Sequence, residues 1–170
     1  MKGAWYAALL VGLVPAQTTI LSAWKVAGVG PDYCLVVACL IGFFAGELEG
    51  LLAGMAIGLM QDLFSAGDQW VNYMTKAFAG LIAGLVGKHL AGTTTSLVVA
   101  TMAVLSFLSC AVYAGVMGAK RGSVEALISF KVVVPEVLLN TVLALVLFSI
   151  VSRYVRPFYG TRGEFGDLET

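Results

Sequence analysis

Asp62 and Lys76 are ionisable side chains set into stretches that are otherwise almost wholly apolar. A charge at such a place is costly, so it usually faces the protein interior and takes a partner. On neighbouring helices, this carboxylate and ammonium could bridge the two and shape a polar spot at a binding surface. The other reading is that they snorkel to nearby helix ends, which the long lysine stem allows better than the short aspartate. Proton relay would need a file of carboxylates or imidazoles, and Asp62, Glu136 and Glu47 make a thin one. Glu47 and Glu49 read instead as interfacial turn residues, and Lys131 and Glu136 are spaced so that they could face different sides.

Catalysis has little to stand on. A hydrolase needs a nucleophile with a base, a carboxylate pair or a metal set. Asp62 has no second aspartate beside it, and the single histidine, His89, follows Lys88 at a helix end. H-E-x-x-H, G-x-S-x-G and Walker patterns are missing from the sequence. Cys34, Cys39 and Cys110 lie in apolar segments without C-x-x-C spacing and read as small buried hydrophobes. The expectation is a protein without enzymatic activity, metal or cofactor.

The elements that must position these residues are membrane helices. The 170 residues are 59% hydrophobic and 12% charged, with mean hydropathy +0.93, where soluble domains carry about 25% charged residues. The net charge of zero gives no basic footprint for nucleic acid. The chain is therefore expected to be all-α and polytopic, a single integral membrane domain over 1–170 in contact with lipid. Six spans are expected, at about 4–22, 32–46, 50–66, 72–88, 96–118 and 133–152, with a polar C-terminal tail over 153–170.

Local signals set these boundaries. The uncharged run 3–24 has 22 residues, longer than the ~7–15 of a signal-peptide core, so the first span, with Pro15 inside, reads as uncleaved. Pro31-Asp32 suits a helix start. The run 33–67 has 35 residues, about 52 Å as one helix, too long for one crossing of a ~30 Å core and short for two. A turn at Glu47–Glu49 divides it into two short spans. Asn72 reads as the N-cap of the next span. The segment 125–134 is ambiguous, lying on the surface or partly inserted. Cytoplasmic termini would place Lys2, Lys88, Arg153, Arg156 and Arg162 inside, against Lys25, Lys120 and Arg121 outside.

Glycines then supply the contacts. Gly42, Gly46, Gly50, Gly54 and Gly58 stand in steps of four that lead to Asp62. A second ladder, Lys76, Gly80, Gly84, Lys88, lies on the next span but one after the turn at Glu47–Glu49. Residues four apart share a helix face, and glycine there lets another backbone approach closely. The expectation is that the Gly54/Gly58/Asp62 face packs on the Lys76/Gly80/Gly84 face, with the outer rim receiving a partner span.

The ordered features Pro31-Asp32, Gly50-x-x-x-Gly54-x-x-x-Gly58-Leu59-Met60-Gln61-Asp62, then Gly67, Asn72, Lys76, Gly80 and Gly84, with Pro135 and Asn140 in the last span, resemble the rod shape-determining MreD family. The loop 66–71, poorer in Gly and Pro, and the glutamates at 47 and 49 depart from that pattern. The resemblance implies a bacterial inner-membrane, multi-pass scaffold of the cell-elongation machinery that makes peptidoglycan. Its direct partner would be MreC; MreB, RodA and a class B penicillin-binding protein would belong to the same complex. The implied fold is similar to the six-helix substrate-binding subunits of energy-coupling-factor transporters. That similarity supplies the alternative function, a small-molecule-binding transporter subunit whose pocket Trp70, Asn72 and Tyr73 could help to line. The halves show no internal symmetry of the kind many carriers have.

Overall fold

The computed structural model describes residues 12, 28–64, 70–89 and 94–155. The expected first span apart from residue 12, the loop 65–69 and the tail beyond 155 lie outside the described residues. Five helices follow in order: α1 (Tyr33–Ala45), α2 (Glu47–Phe64), α3 (Val71–His89), α4 (Thr95–Arg121) and α5 (Ser123–Val155).

Asp32 caps α1, its Oδ1 accepting the Leu35 amide at 3.0 Å. The helix buries most of its surface, through Cys34, Leu35, Val36, Ala38, Cys39, Leu40 and Phe43, while the stripe Tyr33, Val37, Ile41 and Phe44 is half-buried. An α-helix apolar all round belongs at the centre, and α1 touches all four other helices. It stops at Gly46, whose φ of 108° suits glycine, and the Gly46 amide returns to the Gly42 carbonyl at 2.9 Å. The turn thus falls one residue before the expected position. Glu47 and Glu49 are not in it; they occupy the first turn of α2, where carboxylates meet the positive end of the helix dipole.

α2 and α3 form one antiparallel pair, and α4 and α5 another. Lys120 and Arg121 end α4 on its negative end, and Gly122, φ 96°, turns the chain into α5. The last helix begins at Ser123 rather than near 133, so 125–134 is a continuous part of it and Pro135 lies inside. A membrane helix tolerates an interior proline because neighbours and local adjustment take up the freed carbonyl. Thr95–Arg121 and Lys131–Arg153 are each long and apolar enough to cross a membrane.

The core is assembled around α1. Leu35, Cys39 and Phe43 pack with Ala79 and Ala83 of α3, Val98, Met102 and Leu105 of α4, and Ala144 and Phe148 of α5. Phe44 stacks on Phe148 with ring centroids 5.4 Å apart. Leu52 and Leu59 of α2, Phe78 of α3, Phe107 of α4 and Val142 of α5 point outward and exposed.

Candidate functional site

Glycine decides how near α2 comes to α3. A Cβ on Gly54 would strike the Lys76 carbonyl, and one on Gly58 would strike the Asn72 carbonyl and lie 2.6 Å from the Tyr73 Cα. At Gly50 the obstacle is the Gly80 carbonyl, at Gly80 the Gly50 carbonyl, and at Gly84 the Glu47 backbone. Gly42 of α1 meets the same Gly80 carbonyl. Real side-chain carbons do not approach backbone so closely. The two ladders therefore face each other, backbone to backbone, inside the chain.

This approach carries Asp62 to the start of α3. Its Oδ2 accepts the Tyr73 amide at 2.9 Å, and its Oδ1 accepts the Asn72 amide at 3.3 Å and the Asn72 side-chain Nδ2 at 2.8 Å. Asp62 thus does for α3 what a capping side chain does, but from another helix: it satisfies orphan amides and places negative charge at the positive end of the dipole. Asn72 is not the N-cap expected from the sequence; it sits inside α3, which opens at Val71.

Lys76 does not pair with Asp62. Its Nζ lies 2.8 Å from Asp32 Oδ2 and donates to Asn72 Oδ1 at 2.8 Å. The carboxylate of Asp62 is short and is taken up by amides at its own level, whereas the lysine stem spans to the start of α1. Asn72 stands between them, its carbonyl turned to Lys76 and its amide to Asp62. Lys76 is 2% exposed and Asp32 17%.

The chain of polar contacts continues through Asn140. Its Oδ1 accepts the Asp32 amide at 2.7 Å, and its Nδ2 donates to Ser106 Oγ at 2.7 Å. Ser106, Asn140, Asp32, Lys76, Asn72 and Asp62 thus run as one file that touches α4, α5, α1, α3 and α2. Ser106 and Asn140 are fully buried. Pro135 lies outside the file, one turn and more before Asn140 on α5.

At the other end of the α2–α3 pair, Lys88 Nζ reaches Glu47 Oε1 at 2.6 Å, with both side chains partly in the open. Cys34, Cys39 and Cys110 are buried and form no disulfide. Among the described residues no group of His, Cys, Asp and Glu could hold a metal ion.

Beside the polar file opens a cleft of about 470 Å³. The 28–32 loop, the end of α2 at Gln61 and the start of α3 form one wall; Cys110 and Tyr113 of α4 and Ser129 and Glu136 of α5 form the other. Helix lengths create it. With 1.5 Å per residue, α1, of 13 residues, is about 20 Å long, and α5, of 33, about 50 Å, so the long hairpin overhangs the start of the short central helix. Asn72 lines the cleft, but Trp70 and Tyr73 do not; Trp70, at φ 80°, packs edge-on against Tyr73 with centroids 5.6 Å apart.

Two residues of the file, Asp32 and Ser106, were not among the candidates from sequence. Asp32 carried a signal, the Pro-Asp helix start, but that signal accounts for one of its two oxygens. Ser106 carried none, being a lone hydroxyl in an apolar helix.

The family model for rod shape-determining protein MreD matches residues 3–158. No curated protein and no solved structure matches the chain.

Proposed function

This chain belongs to the MreD family, a membrane protein family with a role in rod shape determination, and from that premise we propose that it is a non-enzymatic scaffold of the peptidoglycan elongation complex. In this reading it binds MreC directly and couples it to MreB, RodA and a class B penicillin-binding protein. It is a multi-pass protein of the bacterial inner membrane with six spans and cytoplasmic termini.

The observation that carries the reading is the polar file across five helices. A scaffold must present fixed surfaces. Buried, mutually satisfied polar groups specify one arrangement of helices where an apolar core would tolerate several. Glycine backbone contact between α2 and α3 adds to this fixity. Because both ladders are consumed within the chain, the partner span must dock elsewhere, on outward faces such as Leu52 and Leu59 of α2 or Phe107 of α4. Photo-cross-linking from positions 52, 59, 107 and 142 in living cells tests this. Adducts to MreC from one of these faces are expected; none from any of them would count against direct binding.

The cleft favours a second reading, a small-molecule-binding subunit of a transporter, since its volume falls within the ~300–1,000 Å³ of ligand sites. Co-purification with a transporter coupling subunit in place of MreC would establish it.

A further inference from the structure

The polar face of the α4–α5 hairpin does not end with the file. Ser106 and Asn140 are the last members of the file, at the level where α1 begins. Past that level Ser109 and Tyr113, four apart, share one face of α4, and Ser129 and Glu136, seven apart, share one face of α5. All four line the cleft, opposite the loop 28–32. At 1.5 Å per residue the row runs about 10 Å along α4 from Ser106 to Tyr113 and about 16 Å along α5 from Asn140 to Ser129. A hydroxyl on an apolar helix is ordinarily hidden on the carbonyl four residues back, as in Thr141 and Ser149. Among the described residues no hydrogen bond takes up the hydroxyls of Ser109, Tyr113 and Ser129, and they open on the cleft. Glu136 accepts from the Cys110 thiol, a weak donor.

From this arrangement we propose that the cleft binds the ring of a neutral sugar, carried as a lipid headgroup or free in solution. Each hydroxyl of the row both gives and takes hydrogen bonds. A ligand that only donates, such as an ammonium, or only accepts, such as a phosphate, uses half of that capacity, whereas a ring of hydroxyls uses all of it. Neighbouring hydroxyls on a sugar present two donors side by side, which suits the two oxygens of Glu136. A phosphate would set its charge against that carboxylate, and the nearby cation, Lys76, is buried and already taken by Asp32 and Asn72. Tyr113 is exposed and supplies a ring against which the C–H face of a sugar can lie. A cleft of about 470 Å³ with a row of polar groups along it suits a whole ring rather than one functional group. The site goes beyond the scaffold role and is independent of it: it would stand if MreC bound elsewhere or not at all.

The test uses the full chain in a sugar-free polyoxyethylene detergent and native mass spectrometry. The probes are monoglucosyl diacylglycerol, diacylglycerol and phosphatidylglycerol with identical acyl chains. About tenfold preferential retention of the glucosyl lipid over each of the others is expected, which corresponds to about 1.4 kcal/mol. Glu136→Leu should abolish the preference, and Tyr113→Leu should lower it about threefold, the size of one neutral hydrogen bond, with thermal unfolding near that of the wild type. If Glu136→Leu fails to fold, Tyr113→Leu and the wild-type lipid comparison still decide. Displacement of the glucosyl lipid by glucose would identify the free sugar as sufficient; retention against glucose would identify the lipid as the source. Equal retention of the three lipids with no binding of glucose, a preference for phosphatidylglycerol, or an unchanged preference in either folded variant would overturn the proposal.

Discussion

Lys76 of α3 and Asp32, at the start of α1, form a buried ion pair with Nζ 2.8 Å from Oδ2. The pair joins the α2–α3 unit to the central helix, and Asn140 extends the connection to the α4–α5 hairpin through the Asp32 amide. Removing one partner of a buried pair leaves the other charge without its match, at a cost of about 3–5 kcal/mol. Lys76→Met should therefore lower the thermal unfolding temperature strongly. The double change Lys76→Met with Asp32→Asn should cost less than the two single changes added together. Additive losses in that double-mutant cycle would show that the two residues are not coupled.

Glycine substitutions should divide by position. Gly58→Ala places a methyl group against the Asn72 carbonyl and should force α2 and α3 apart, while a Cβ on Gly115 of α4 meets nothing within 4 Å. Gly115→Ala should be neutral or stabilise by up to about 1 kcal/mol through helix propensity. Thermal unfolding of the two variants side by side checks this, and equal stability would mean that the close backbone approach is not required.

The two acidic contacts from α2 to α3 should differ in weight. Asp62 is 4% exposed and serves three donors; Glu47 meets Lys88 where both are partly in the open, and such pairs are worth about 0–1 kcal/mol. In a cell-shape complementation assay, Asp62→Leu should fail and Glu47→Leu should succeed. Equal tolerance would remove the special role of Asp62.

Asn140 should matter more than Ser106. Asn140→Leu leaves the Asp32 amide without its acceptor and takes from Ser106 Oγ its donor, and an orphaned buried group costs about 1–3 kcal/mol. Ser106→Ala removes a single partner of the Asn140 amide. The expected order of unfolding temperature is wild type, Ser106→Ala, Asn140→Leu; a reversed order would place the junction elsewhere.

What the sequence made legible was local. A carboxylate and a lysine within apolar runs marked Asp62 and Lys76 as interior residues, and the spacing of four marked the faces on which Gly54, Gly58, Gly80 and Gly84 meet. The partners of those residues were not local. Which carboxylate Lys76 finds depends on how α1 lies across α3, and no spacing along the chain encodes that. Equally, a glycine ladder states that a backbone comes close without stating whose backbone it is. Here it is the chain's own, and the outer rim is left to long apolar side chains. The cleft was illegible because it arises from the difference in length between α1 and α5, and the start of α5 was obscured by a proline that the helix runs through.

The scaffold reading rests on MreC docking to a body whose shape the α2–α3 glycine contact sets. Co-purification of MreC with the wild-type chain and with Gly54→Leu, compared at equal amounts of folded protein, tests it most directly. We expect MreC to be retained by the wild type and largely lost from Gly54→Leu. Failure of the wild type to retain MreC, or full retention by a folded Gly54→Leu variant, would contradict it.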